Sequence, residues 1–162
     1  MEVVEGEATV ADVDAFLDRL DAAADEHGAV VQAVDARYVV DRDHLALAVD
    51  LAGRARDRGE AIADDPAVEI LLYAAGRRQI GRALEIGVAE GQCPVAVVVV
   101  GGDEAAAAEA IRSELTPAGT IGTGDRERIA SFFEIGDREL AAARGDLADL
   151  VHERVAMLAV TK

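Results

Sequence analysis

Residues 93–100, Cys93-Pro94-Val95-Ala96-Val97-Val98-Val99-Val100, constrain this chain most. A continuous apolar run of this length, rich in β-branched valine, reads as a strand at the centre of a sheet. The rest of the chain must therefore build a sheet and its cover. Residues 2–10 partly alternate between polar and apolar and read as a strand with one interruption, at Gly6. Residues 29–34 form another strand, and residues 35–40 either extend it or make a turn. Asp12 is placed to cap a helix running to about Glu26, with Val13, Phe16, Leu17 and Leu20 on its buried side. Asp41 or Asp43 caps a long helix in which Leu45, Ala48, Val49 and Ala52 recur at helical spacing. Downstream, Gly101-Gly102-Asp103 leads into an alanine-rich helix from Glu104 to about Leu115. Residues 116–124 read as a loop with room for a short edge strand. Asp125 and Asp137 are caps for two short helices, the first burying Ile129, Phe132 and Phe133. Asp146 caps a last helix through Val155, after which residues 157–160 are placed to return as a strand. These elements predict one α+β domain over residues 1–162, a small and mostly antiparallel sheet covered by helices.

Between the second strand and the central one lies the stretch richest in functional signals, Glu69-Ile70-Leu71-Leu72-Tyr73-Ala74-Ala75-Gly76-Arg77-Arg78-Gln79-Ile80. Asp65 is an N-cap and Pro66 suits the first helical position. Ile70, Leu71 and Ala74 make an apolar stripe with Tyr73 beside it. Gly76 stands where a left-handed cap ends the helix, and Ile80, Ala83, Leu84 and Gly87 read as a second short helix. Two arginines and a glutamine are thus displayed at a helix break. One reading is that Arg77 and Arg78 neutralise the C-terminal dipole of the first helix; the other is that they bind an anionic ligand.

The run Ile-Leu-x-Tyr-Ala-Ala-Gly-x-Arg-Gln-Ile, followed by Ala83-Leu84 and Gly87-Val88, resembles the kinase-binding regulatory subunit of the KEOPS complex, in the PRPK-binding protein family. The likeness extends in order and spacing over nearly the whole chain, through residues 31–36, His44-Leu45 and the strand from Pro94 to Val100. The resemblance implies a non-catalytic subunit that docks on the kinase-like ATPase of KEOPS, the complex that makes threonylcarbamoyladenosine in tRNA. Archaeal members bind the single-stranded CCA end of the tRNA. On that implication Arg77 and Arg78 contact phosphates, Gln79 hydrogen-bonds a base edge or the backbone, Ile80 or Tyr73 faces an unstacked base, and Gly76 shapes the bend. The partner-docking residues stay unassigned. The helix around Phe132-Phe133 and the segment from Val155 to Val160 are the candidates.

Charge bears directly on that expectation. The chain carries 32 acidic residues against 16 basic ones, a formal net charge of −16, and Lys162 is its one lysine. Such a balance argues against a broad basic face for nucleic acid. Either the protein avoids nucleic acid, or the acids are an adaptation to high salt of the kind found in halophilic archaea. Their even spread, and arginine in place of lysine, favour the second. At molar salt the Debye length is about 3 Å, so net charge hardly repels a phosphate, and recognition leans on stacking and bidentate arginines.

Other chemistries find little support in the sequence. Val100-Gly101-Gly102-Asp103 has neither G-x-G-x-x-G nor a Walker lysine, and reads as a tight turn with a helix cap. His27, His44 and His152 lie far apart, without metal-ligand spacing, so no metal or cofactor is expected. His27 reads as a helix-terminal residue, His44 as part of a first turn, and His152 as lying on an exposed face. Cys93 is the only cysteine, and reads as a packing residue. Ser113 and Ser131 are the only serines, both at helical positions. No acid pair stands out for general acid–base work. With no run of about 18 apolar residues and no apolar leader at Met1, a cytoplasmic protein without a membrane span is expected. A reading from another class stays open, that of an enzyme using the Arg77-Arg78 loop as an anion pocket for a small molecule or nucleotide.

Overall fold

The computed structural model describes residues 1–161. Four strands, β1 (Glu2–Val10), β2 (Val30–Asp35), β3 (Gly91–Val100) and β4 (Thr116–Pro117), form one antiparallel sheet in the order β2-β3-β1-β4. The described residues also form eight α-helices. They are α1 (Val13–Asp25), α2 (Arg42–Asp57), α3 (Pro66–Ala75), α4 (Ile80–Ala83), α5 (Glu104–Arg112), α6 (Arg126–Phe132), α7 (Asp137–Ala142) and α8 (Leu147–Thr161). The architecture is α+β, with helices on both faces of the sheet.

The unbroken apolar run of β3 has its explanation in that double cover. Successive side chains of a strand point to opposite faces. Cys93, Val95, Val97 and Val99 meet α1 and α5 through Phe16, Leu20 and Ile111. Ala96 and Val98 face the other way, into a larger core built from α2, α3, α6 and α8. With both faces dry, alternation has no polar side to fall on. Gly6 of β1 answers to a close approach: a Cβ there would lie 2.8 Å from both the Leu115 Cβ and the Thr116 carbonyl oxygen. The glycine lets β4 pair beside it, Gly6 opposite Pro117.

Most helix starts follow the expected caps. The carboxylates of Asp12, Asp41, Asp65, Asp103 and Asp125 each accept a main-chain N–H in the first turn of their helix. Residues 36–38 form a single 3-10 turn rather than extending β2, fixed by Asp35, which accepts from the Arg37 amide and from its guanidinium at 2.7–3.2 Å.

Three expectations are corrected. Asp137 is the first residue of α7 and Gly136 its cap, without a side-chain hydrogen bond. The alanine-rich helix stops at Arg112, short of residue 115. Residues 157–160 do not return as a strand: α8 runs through them to Thr161, because Val151, Val155 and Leu158 continue one buried stripe against the larger core.

Candidate functional site

The site grows out of α3, which is buried along its whole second half. Glu69, Ile70, Leu71, Leu72, Tyr73, Ala74 and Ala75 are all shielded from solvent. A helix apolar all round lies inside its protein rather than on it. The single acid in that run, Glu69, is 0% exposed. Its carboxylate accepts the amides of Ile62 and Ala63, each at 3.0 Å. It thereby pins the loop that precedes α3, and that loop forms one wall of the site. At the other end of α3 the His44 ring, wholly buried, donates from Nε2 to the Ala74 carbonyl at 2.7 Å and accepts the Val40 amide at Nδ1 (3.3 Å). Phe133 meets the same ring edge-on at 5.6 Å. Burial pushes the imidazole down from 6.5 to about 4, so it is neutral at physiological pH.

Gly76 closes α3 with φ +62°, a left-handed conformation that side chains with a Cβ rarely take. The Gly76 amide donates to the Tyr73 carbonyl and the Arg77 amide to the Leu72 carbonyl, both at 3.0 Å, satisfying carbonyls that α3 leaves open. A Cβ on Gly76 would also sit 3.1 Å from the Arg154 carbonyl oxygen of α8. The bend and the packing of α8 therefore depend on the same missing side chain.

Beyond the bend the two arginines part company. Arg77 is half-buried: its guanidinium donates to the Phe132 carbonyl, lies 4.9 Å from the centre of the Phe132 ring, and comes within 3.8 Å of Glu134. Arg78 is exposed and has no hydrogen bond or ion pair among the described residues. It borders a pocket of about 480 Å³ whose other walls are Glu60, Ala61, Ile62 and Ala159. Gln79 is exposed at the start of α4 and makes no capping bond. Ile80 is 49% and Leu84 59% exposed, large apolar side chains left in water.

Of the residues singled out in the sequence, Arg78, Gln79 and Ile80 are exposed in succession just beyond the bend. Tyr73, at 0% exposure, is part of the core and presents no ring face there. Arg77 is engaged by the fold itself. His152 is not on a bare face: it is half-buried, with Nε2 2.9 Å from the Asp41 carboxylate. Phe132 and Phe133 are core residues, whereas on α8 Met157 and Val160 are exposed. Met157 also borders a smaller cavity beside Gly76 and Arg77, so the outer side of α8 adjoins the bend.

Glu69 is the residue that sequence reasoning missed. Its signal was present, a lone acid between Val68 and Ile70 in an otherwise apolar helix. A buried carboxylate in such a setting is there to accept hydrogen bonds. Burial also holds the Cys93 thiol above its usual value, the setting of a packing residue rather than a nucleophile. Among the described residues no cluster of His, Cys, Asp or Glu has the makings of a metal site, and no helix is long and apolar enough to cross a membrane.

An α+β domain whose free polar and apolar groups gather at a helix break, beside an open pocket, has the makings of a binding module. The chain belongs to the kinase binding protein CGI-121 family, whose model matches residues 10–159. A regulatory, kinase-docking role accords with that membership. No curated protein matches the chain significantly.

Proposed function

We propose that this protein is a non-catalytic, cytoplasmic regulatory subunit of the KEOPS complex. On this reading it docks on the kinase-like ATPase subunit and binds the single-stranded CCA end of tRNA during threonylcarbamoyladenosine formation. The observation that carries the RNA half is Arg78, a guanidinium without a partner among the described residues, at an open pocket in a chain of net charge −16. Arg78 meets a phosphate, Gln79 reads a base edge or the sugar–phosphate backbone, and exposed Ile80 offers an apolar face to an unstacked base. Arg77, held on Phe132, sets the direction in which the loop leaves α3. Glu60, on the pocket wall, opposes the same phosphate and limits affinity at low salt.

Mobility shift of intact and CCA-trimmed tRNA tests this. Arg78→Glu is expected to weaken binding of intact tRNA about tenfold, a change of ~1.4 kcal/mol, and to leave the trimmed tRNA's weak binding unchanged. Glu60→Gln is expected to strengthen binding at low salt. Intact tRNA bound equally by Arg78→Glu and the unaltered protein would remove the site. The kinase half rests on family membership and on the exposed Met157 and Val160 of α8. Met157→Asp with Val160→Asp is expected to abolish co-purification with the kinase while tRNA binding persists.

A further inference from the structure

The longer of the sheet's two edges, β2, pairs with no further strand among the described residues. On the β1 side the two-residue β4 pairs with Gly6 and Glu7, and β2 has β3 on one side and, among the described residues, no strand on the other. In an antiparallel ladder alternate residues spend their N–H and C=O groups on the neighbour, and those between point away from it. β2 therefore turns part of its main-chain donors and acceptors outward, and residues 30–33 of that edge border a cleft, whereas Val34 and Asp35 are buried. Natural edges are usually blunted by proline, lysine, a bulge or shortness. β2 has no proline or lysine, and its register with β3 runs without a break from Val30 opposite Val100 to Asp35 opposite Val95. The Gln32 side chain folds back onto this strand, its amide donating to the Ala33 carbonyl at 2.8 Å.

The edge lies at the floor of a cleft of about 390 Å³ between α1 and the start of α3. Leu17 and Val68 contribute apolar wall, and Asp21, Asp25 and Asp65 contribute charge, with no arginine or lysine among the lining residues. Burial holds the Asp21 carboxyl above its usual range, and Asp25, Asp18 and Asp65 push it further up, so these acids sense one another across the cleft. Such a rim rejects nucleic acid and a second copy of this acidic chain. It attracts a basic segment.

We infer that the open edge of β2 accepts an extended, arginine- or lysine-bearing segment of a partner protein as a fifth strand of the sheet. Main-chain hydrogen bonds to β2 supply the binding, and alternate basic side chains reach Asp21, Asp25 and Asp65. The Gln32 amide gives up the Ala33 carbonyl to the incoming strand. This surface is separate from the Arg78 pocket and opposite to it in charge preference.

The test is amide NMR of the isotope-labelled full chain at about 0.1 M salt, where charges some 10 Å apart still interact. The probe is a capped hexapeptide of alternating arginine and valine. Shifts and slowed exchange confined to residues 30–35 and the cleft walls are expected. The paired change Asp21→Asn, Asp25→Asn should weaken binding about fivefold, as exposed charge pairs of modest strength imply. A peptide N-methylated at every amide, with no N–H to donate along either edge, should not bind. The inference is overturned by shifts lying elsewhere, by equal binding of the N-methylated or a glutamate–valine peptide, or by no binding at millimolar peptide. An oligonucleotide that shifts the same amides overturns it as well.

Discussion

Glu69 and His44 show what single buried polar residues do here. Removing the Glu69 carboxylate strands the Ile62 and Ala63 amides, which lie in a half-buried loop. Glu69→Ala is therefore expected to cost about 3 kcal/mol in urea unfolding, and Glu69→Gln, which keeps an acceptor oxygen, clearly less. Amide exchange at residues 62 and 63 should quicken in the alanine variant, because the wall of the Arg78 pocket loses its anchor. His44 makes stability depend on pH with a definite sign. Its folded value of about 4 lies below the ordinary 6.5, so the unfolded chain takes up the proton first as pH falls. The stabilisation is complete above pH 6.5 and is lost progressively down to about pH 4, a total of about 3 kcal/mol at 1.36 kcal/mol per unit. The difference in unfolding free energy between the unaltered protein and His44→Gln, followed from pH 7 to pH 4, should narrow by that order. A difference that stays constant over this range would show the ring to be accessible to protons.

At the level of elements, short-range signals did well wherever the chain itself supplied the partner. The aspartate caps and the glycine stop of α3 need only groups within a few residues, and both are legible in the sequence. The apolar run over residues 157–160 is a different case, since four apolar residues fit a strand or a buried helix equally. What decides is that Leu158 falls on the stripe begun by Leu147 and Val151, which lies against α2 and α3. Gly6 belongs with these longer-range effects, because β4 reaches it from over a hundred residues away. Gly6→Ala is expected to destabilise the protein by about 1–3 kcal/mol, the usual range for overpacking. Exchange should rise first in the amides of residues 115–117, and a crystal structure should show β4 displaced. Unaltered pairing and stability would mean that Leu115 yields freely.

For the whole molecule, the excess of acid dominates. Sixteen uncompensated negative charges on 162 residues repel one another in the compact state. As KCl rises from 0.1 to 1 M the screening length drops from about 10 to about 3 Å. Tm at pH 7.5 is expected to climb by roughly 5 °C or more over that interval. A flat or falling Tm would mean that the acids are already neutralised by local partners.

The class of fold, the order of its main elements, the helix break at Gly76 and the arginines beyond it are legible in the residues alone. These follow from periodicity, caps and the special backbone of glycine, all of which act over a few residues. Which arginine lacks a partner among the described residues is settled by long-range packing. Arg77 and Arg78 are neighbours of identical chemistry, yet one is drawn onto Phe132 and Glu134, more than fifty residues away, and the other is left in water. Likewise, no local pattern announces that β2 is the edge of the sheet. Strand order is a matter of which surfaces pack together, and packing joins residues that the chain keeps far apart.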